Sequence, residues 1–149
     1  MHTASKVKQA GQRSAGVVVL RDSPGRCSYL LLRADSHWNF SKGLLETGEQ
    51  AIAAARREVE KETGITQLDF RWGYDCFETG PYRHGKIARY YLAATSQSKV
   101  ELRISEKLGR PEHDEYRWVS FEEGHELPGV RLRPVLKCAH HKTGCLMMD

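Results

Sequence analysis

The chain of 149 residues carries 23 Lys and Arg against 19 Asp and Glu, a formal net charge of +4 at neutral pH, with 40% hydrophobic and 28% charged residues. That length suits one domain with a sizeable core, whereas two domains would each sit near the lower size limit. The mild positive balance suits an anionic ligand but does not by itself argue for nucleic acid, and the longest apolar runs, "AGVVVL" and "YLLL", are far too short to span a membrane.

The opening "MHTASKVKQAGQRS" is polar and lacks the apolar run of a secretory signal, so residues 1–13 are expected to form a flexible N-terminal arm. Residues 14–21 (SAGVVVLR) are short, β-branched and apolar, the pattern of a buried strand. Pro24-Gly25 marks a turn, and residues 28–33 (SYLLLR) return as the second strand of a hairpin. The stretch "ADSHWNFSKGLLETGEQ" is read as an irregular loop. A helix is predicted over residues 49–63, with Ala51, Ile52, Ala55 and Val59 as its apolar stripe and Gly64 as its stop.

Three further strands are predicted at about residues 67–79, 86–94 and 115–119. "ETGPYRHGK" joins the first two, and the polar loop "RISEKLGRPEHD" precedes the third. Residues 130–141 form a candidate final helix, although Pro134 argues against a clean one over its whole length. Strands interrupted by one long and one late helix imply an α/β (α+β) domain over residues 14–141, with helices on both sides of a mixed sheet and a C-terminal tail at 142–149. Cys27, Cys76, Cys138 and Cys145 are scattered, and reduced thiols are expected in a chain of this size. The grouping Cys138, His140, His141 and Cys145 does not match the spacing of a zinc module.

The chemistry concentrates in residues 57–64, "REVEKETG". At about 100° per residue, Glu58, Lys61 and Glu62 share one face of the helix, and Glu60 points nearly opposite Glu58. Two carboxylates at i and i+4 can share a hard divalent cation through their oxygens. Lys61 puts a positive charge where a third carboxylate would add a ligand or a base. Upstream, Gly43 and Gly48 permit a tight loop whose carbonyls can face a metal, and Glu49 opens the helix, where it can pair with Arg57 and hold the loop.

Gly43, Glu49, Arg57, Glu58, Glu62, Gly64 and Ile65 together resemble the Nudix box, which departs here only at Lys61, where the box has the first glutamate of a pair. "HWNFSKG" resembles the W-x-x-P-K-G segment of the asymmetrical diadenosine tetraphosphate hydrolase branch, with Ser41 in place of the usual proline. Lys86 and Tyr90 in "GKIARYYLA", and Glu112 and His113 in "PEHDEYRWVSFEE", are similar to further segments of that branch. The resemblance spans about residues 15–136.

It implies a Nudix-type α/β/α sandwich with a mixed central sheet and a pyrophosphohydrolase dependent on Mg²⁺ or Mn²⁺. In the resembled branch, diadenosine tetraphosphate yields ATP and AMP. Glu58, Glu62, Glu112 and the Gly43 carbonyl are the implied metal ligands. Glu112, or a carboxylate of the helix, would serve as base, with Arg57 completing the catalytic set. Lys42 and Lys86 suit a polyphosphate chain as point charges, and Tyr90 or Tyr82 offers an aromatic face to adenine. Trp38 either wedges the loop or touches ligand, and His113 makes either a structural hydrogen bond or a phosphate contact.

Two other readings share these residues. One is removal of pyrophosphate from the 5′ end of RNA, if Arg71, Arg83, Arg89, Arg103, Arg110 and Arg117 cluster. The other is a nucleotide-binding domain impaired in catalysis by Lys61. The expected partner is a small nucleotide, with RNA less favoured and no membrane. The expected state is a cytoplasmic monomer or weak dimer.

Overall fold

The computed structural model describes residues 12–23, 26–75, 77–127 and 132–144. Residues 1–11 and 145–149, most of the expected arm and tail, lie outside them, as do Pro24-Gly25 and Cys76. The chain is built on a seven-stranded mixed sheet. Its hub is β1 (Arg13–Ser23). On one side, β1 pairs parallel with β6 (Ile87–Ala94), from Arg13 opposite Ile87 to Leu20 opposite Ala94. On the other side it pairs antiparallel with β2 (Arg26–Ala34) at one end and β4 (Ser41–Leu44) at the other. Strands β3 (His37–Asn39) and β9 (Glu115–Val119) flank β2, and β5 (Phe77–Thr79) closes the far edge on β6. A separate pair, β7 (Ile104–Ser105) and β8 (Arg110–Pro111), forms a small hairpin.

A strand covered on both faces reads as a continuous apolar run, which accounts for "GVVVL" in β1. Alternation then sends its residues to opposite cores. Ala15, Val17 and Val19 join Leu30, Leu32, Tyr91 and Ala93 under helix α1 (Ala51–Thr63), which adds Ala54, Ala55 and Val59. Val18 and Leu20 join Tyr29, Leu31, Tyr90 and Leu92 under helix α3 (Arg133–Thr143), which adds Val135, Leu136 and Ala139. The result is the expected helix–sheet–helix sandwich.

Several local expectations are corrected. The predicted irregular loop holds two strands, β3 and β4. They are short and polar, and their register is set by their partners rather than by their own pattern. Asp35 and Ser36, both at positive φ, make the tight β2–β3 turn without the usual glycine. The helix starts at Ala51, two residues later than predicted, with Gln50 as N-cap. Ala54 is fully buried in its stripe, whereas Ala51 and Ile52 are only partly covered. Only Phe77–Thr79 of the predicted strand over 67–79 is a strand, with an isolated bridge from Asp69 to Ala94.

Helix α2 (Phe121–Glu126) was missed, although "SFEE" carries its capping box: Ser120 Oγ accepts from the Glu123 amide, and the Glu123 carboxylate accepts from the Ser120 amide. Pro134 sits in the first turn of α3, where its missing N–H costs nothing. Cys27 is disulfide-bonded, against the expectation of reduced thiols, while Cys138 is free. Scattered spacing along the chain does not report which sulfurs the sheet brings together. His140 is buried, stacked on Phe121 at 4.3 Å and hydrogen-bonded through Nδ1 to the Tyr29 hydroxyl at 2.6 Å, while Cys145 lies outside the described residues.

Gly16 lets β4 lie close to β1. A Cβ there would meet the Ser41 carbonyl oxygen at 2.2 Å and Lys42 Cβ at 2.6 Å. The expected cost of Gly16→Ala is about 1–3 kcal/mol, the usual range for overpacking against fixed neighbours. Urea unfolding of both proteins tests it, and an unchanged midpoint would show that β4 can move away.

Candidate active site

The predicted site residues come from β4, α1, the β5–β6 turn and the loop before β9. Ser41, Lys42 and Gly43 are fixed opposite Val17, Gly16 and Ala15. Glu58 of α1 packs directly on Gly43, where a Cβ would lie 2.3 Å from Glu58 Oε2. A side chain there would have to push the Glu58 carboxylate aside, whereas Gly43 leaves it in place.

Arg57 clamps the loop that leads from β4 to α1. Its Nε donates to Glu49 Oε2 at 2.9 Å and its Nη2 to Glu49 Oε1 at 3.0 Å, a two-pronged pair. Nη2 also donates to the Leu44 carbonyl at 2.9 Å. Glu49 in turn accepts from the Glu46 amide at 2.9 Å. Glu49 lies outside the helix, so its role is to anchor this clamp rather than to meet the helix dipole. The Arg57 hydrogen bond, aided by the Glu46 amide, lowers the Glu49 carboxyl to about 2, and Glu49 raises the Arg57 guanidinium in return. Arg57 Nη1 also donates to Glu58 Oε1 at 3.0 Å, and Lys61 Nζ stands 3.7 Å from that same oxygen.

Glu62 is buried and accepts from Ser41 Oγ at 2.7 Å. Burial pushes its carboxyl up to about 8 against the pull of the Ser41 hydroxyl, with the negative charges of Glu112 and Glu58 adding to the rise. Glu112 is exposed at its side. One donor atom each from Glu62, Glu112 and His113 lies within 4.8 Å of the other two. His113 is buried, which lowers its pKa and favours the neutral imidazole.

Two adjoining pockets organise the remaining residues. The larger, about 580 Å³, is walled by Gly43, Arg57, Glu58, Lys61, Glu62 and Glu112. The smaller, about 310 Å³, is walled by Trp38, Tyr82, Tyr90 and Leu132. Ser14, Lys42 and Lys86 line both. Tyr90 is a core residue, 3% exposed and edge-on to Phe40, that also reaches the pocket wall. Trp38 is similarly buried, with the Arg117 guanidinium 4.9 Å from its ring centre. His113 lines neither pocket, so a buried partner of Glu62 and Glu112 describes it better than a phosphate contact.

The arginines expected to cluster for RNA are partly spent on neighbours: Arg71 on Asp69, Arg89 on Glu78, and Arg117 on Glu115. The side chain of Arg83 lies outside the description. Sequence reasoning missed Ser14, Ser41 and Lys107. Ser41 was noted only as a departure from proline, yet its hydroxyl is what holds Glu62. Lys107 lines the larger pocket from the β7–β8 hairpin, and no sequence pattern marks it.

The family model of the NUDIX domain matches residues 11–136, and the chain belongs to that family of pyrophosphohydrolases. The asymmetrical bis(5'-nucleosyl)-tetraphosphatase of Caenorhabditis elegans is 31% identical over 117 residues, covering 74% of this chain and 80% of that protein. The RNA pyrophosphohydrolase of Legionella pneumophila (strain Corby) is 31% identical over 134 residues, covering 78% and 74%. The structure of a C. elegans Ap4A hydrolase binary complex matches with a TM-score of 0.75 and 29% identity, over 88% of this chain and 98% of that one. Among the described residues no helix is long and apolar enough to cross a membrane.

Because the Glu49 carboxyl is lowered from 4.5 to about 2 on folding, its charge stabilises the folded chain above the unfolded value, and that contribution is lost as pH falls toward 2. The stability gap between this chain and Glu49→Gln is therefore full at neutral pH, narrows below about pH 4.5 and closes near pH 2. Urea midpoints across that range measure it, and a gap independent of pH would refute the charged clamp.

Proposed function

We propose that this chain is a divalent-metal-dependent hydrolase of dinucleoside polyphosphates, with diadenosine tetraphosphate as substrate and ATP and AMP as products. The observation that carries the reading is the junction of the two pockets at Lys42 and Lys86. A nucleoside fits the aromatic pocket, its phosphates pass the two lysines, and the bond to be broken reaches the carboxylates. The C. elegans relative's name supports this choice of substrate.

The donor set fits a hard cation, Mg²⁺ or Mn²⁺: carboxylate oxygens of Glu58, Glu62 and Glu112 and the backbone of Gly43 converge on one wall, and the space beside Gly43 admits no Cβ. When bound, the ion neutralises phosphate charge and lowers the pKa of the attacking water. Lys42 and Lys86 orient the polyphosphate as point charges. Tyr82, half-buried on the β5–β6 turn, stacks on the base. The oxygen of Glu112 not on the ion, or a carboxylate of the helix, accepts the proton of the water that attacks in line. Ser41 holds Glu62 in place, and Arg57 keeps the loop closed on the helix.

The test is incubation with diadenosine tetraphosphate and Mg²⁺, with products resolved by chromatography. ATP and AMP are expected in equal amounts, and Glu62→Gln lowers turnover at least about tenfold. Tyr82→Ala raises KM by about tenfold, the scale of one lost base stack, with a smaller effect on kcat. Undiminished turnover in Glu62→Gln would remove the helix from the mechanism. If neither this chain nor Lys61→Glu releases ATP and AMP, the substrate assignment fails. Triphosphorylated RNA, suggested by the name of the Legionella relative, is then the substrate to assay.

A further inference from the structure

The hydrolase reading leaves open what Lys61 does among groups meant for a cation. We infer that Lys61 takes the place of a metal charge at Glu58, so that this site holds a single divalent cation on Glu62, Glu112 and His113. The inference rests on the metal-dependent reading above and revises its donor set: Glu58 and the Gly43 backbone leave it, His113 enters it, and the site accepts one ion.

Glu58 has its charge already met. Its Oε1 accepts from Arg57 Nη1 at 3.0 Å and faces Lys61 Nζ at 3.7 Å, while its Oε2 lies against the backbone of Gly43. Its side chain is 7% exposed, while those of Arg57 and Lys61 are 31% and 54% exposed, so the Arg57 pair is the better shielded of the two. A divalent ion at this carboxylate would share it with two fixed cations and be repelled by both. Arg57 cannot turn away without releasing Glu49 and the Leu44 carbonyl. Lys61 is on the next turn of the same helix, and the i, i+3 spacing brings its ammonium within reach of Glu58.

Glu62, one turn further along, makes no ion pair with a Lys or Arg among the described residues, although the Lys42 charge reaches its neighbour His113. Its neighbours are the Ser41 hydroxyl, the Lys42 amide, and the charges of Glu112 and Glu58. A buried carboxylate facing two others is a position that a cation relieves. Glu112 and His113 bring one donor atom each to within 4.8 Å of it, and among the described residues this is the group of that tightness; Glu58 is not part of it. One imidazole nitrogen beside two carboxylates also favours a first-row transition ion such as Mn²⁺ over Mg²⁺, because nitrogen donors follow the transition series more closely than oxygen donors do.

Titration of the metal-stripped full chain with Mn²⁺, with free ion followed by its paramagnetic resonance signal, tests the inference. One ion per chain is expected. Glu62→Gln and His113→Gln weaken it at least about tenfold, and Glu58→Gln changes it by less than about threefold. Lys61→Glu, an exposed and structurally mild change, raises the count to two. Two or more ions on the unaltered chain, or a single ion on Lys61→Glu, would overturn the inference and leave the hydrolase reading standing. No bound Mn²⁺ on either protein would overturn the metal-dependent reading itself.

Discussion

Strand β4 is pressed between a strand and a helix with no room for two Cβ atoms, and the site depends on that squeeze. On one side Gly16 of β1 leaves space for the Ser41 carbonyl and the Lys42 side chain. On the other side Gly43 leaves space for the Glu58 carboxylate. Four residues of strand thus bring a helix and the centre of the sheet into direct contact, and they carry Ser41 and Lys42 with them. Close packing of this kind has little slack, because a displaced backbone cannot rotate out of the way as a side chain can. The positions of Glu58 and Glu62 relative to Lys42 are therefore properties of the fold, and loop motion has little influence on them.

The electrostatics follow from that geometry. Arg57 is occupied by Glu49 and the Leu44 carbonyl, which closes the loop over the first turns of α1. The same guanidinium reaches Glu58, and Lys61 adds a second cation. One carboxylate of the pair is thus compensated, and the other is buried, hydrogen-bonded to the Ser41 hydroxyl and the Lys42 amide and facing the charges of Glu112 and Glu58. The lysine that interrupts the acidic helix faces Glu58 and leaves Glu62 beside Glu112 and His113. The second pocket lies elsewhere, on the β5–β6 turn and β3, where Tyr82, Lys86 and Trp38 line it.

Much of this was legible in order of appearance. The apolar run of β1 implied a buried strand, and the strand lies between two cores. Gly64 was expected to end the helix, and it does so at φ 78°, with its amide bonded to the Glu60 carbonyl. The pairing of Arg57 with Glu49 was anticipated from their charges and separation, and the two-pronged geometry shows how they meet. The strands of β3 and β4 were not legible, since three or four polar residues have no periodicity of their own. The capping box before α2 was legible and was overlooked.

By itself the sequence determined the family, the helix that carries the carboxylates, and the presence of a lysine among them. These are properties of residue type and of spacing along one helix, where a fixed rotation per residue converts position into direction. Tertiary structure decided what could not be counted along the chain. It paired Ser41 with Glu62 across 21 residues. It set His113 beside Glu62 and outside both pockets, gave Glu58 two cations, and joined Cys27 in a disulfide. Each of these depends on which strands lie side by side, and that is fixed by sheet register and by the space two glycines leave open.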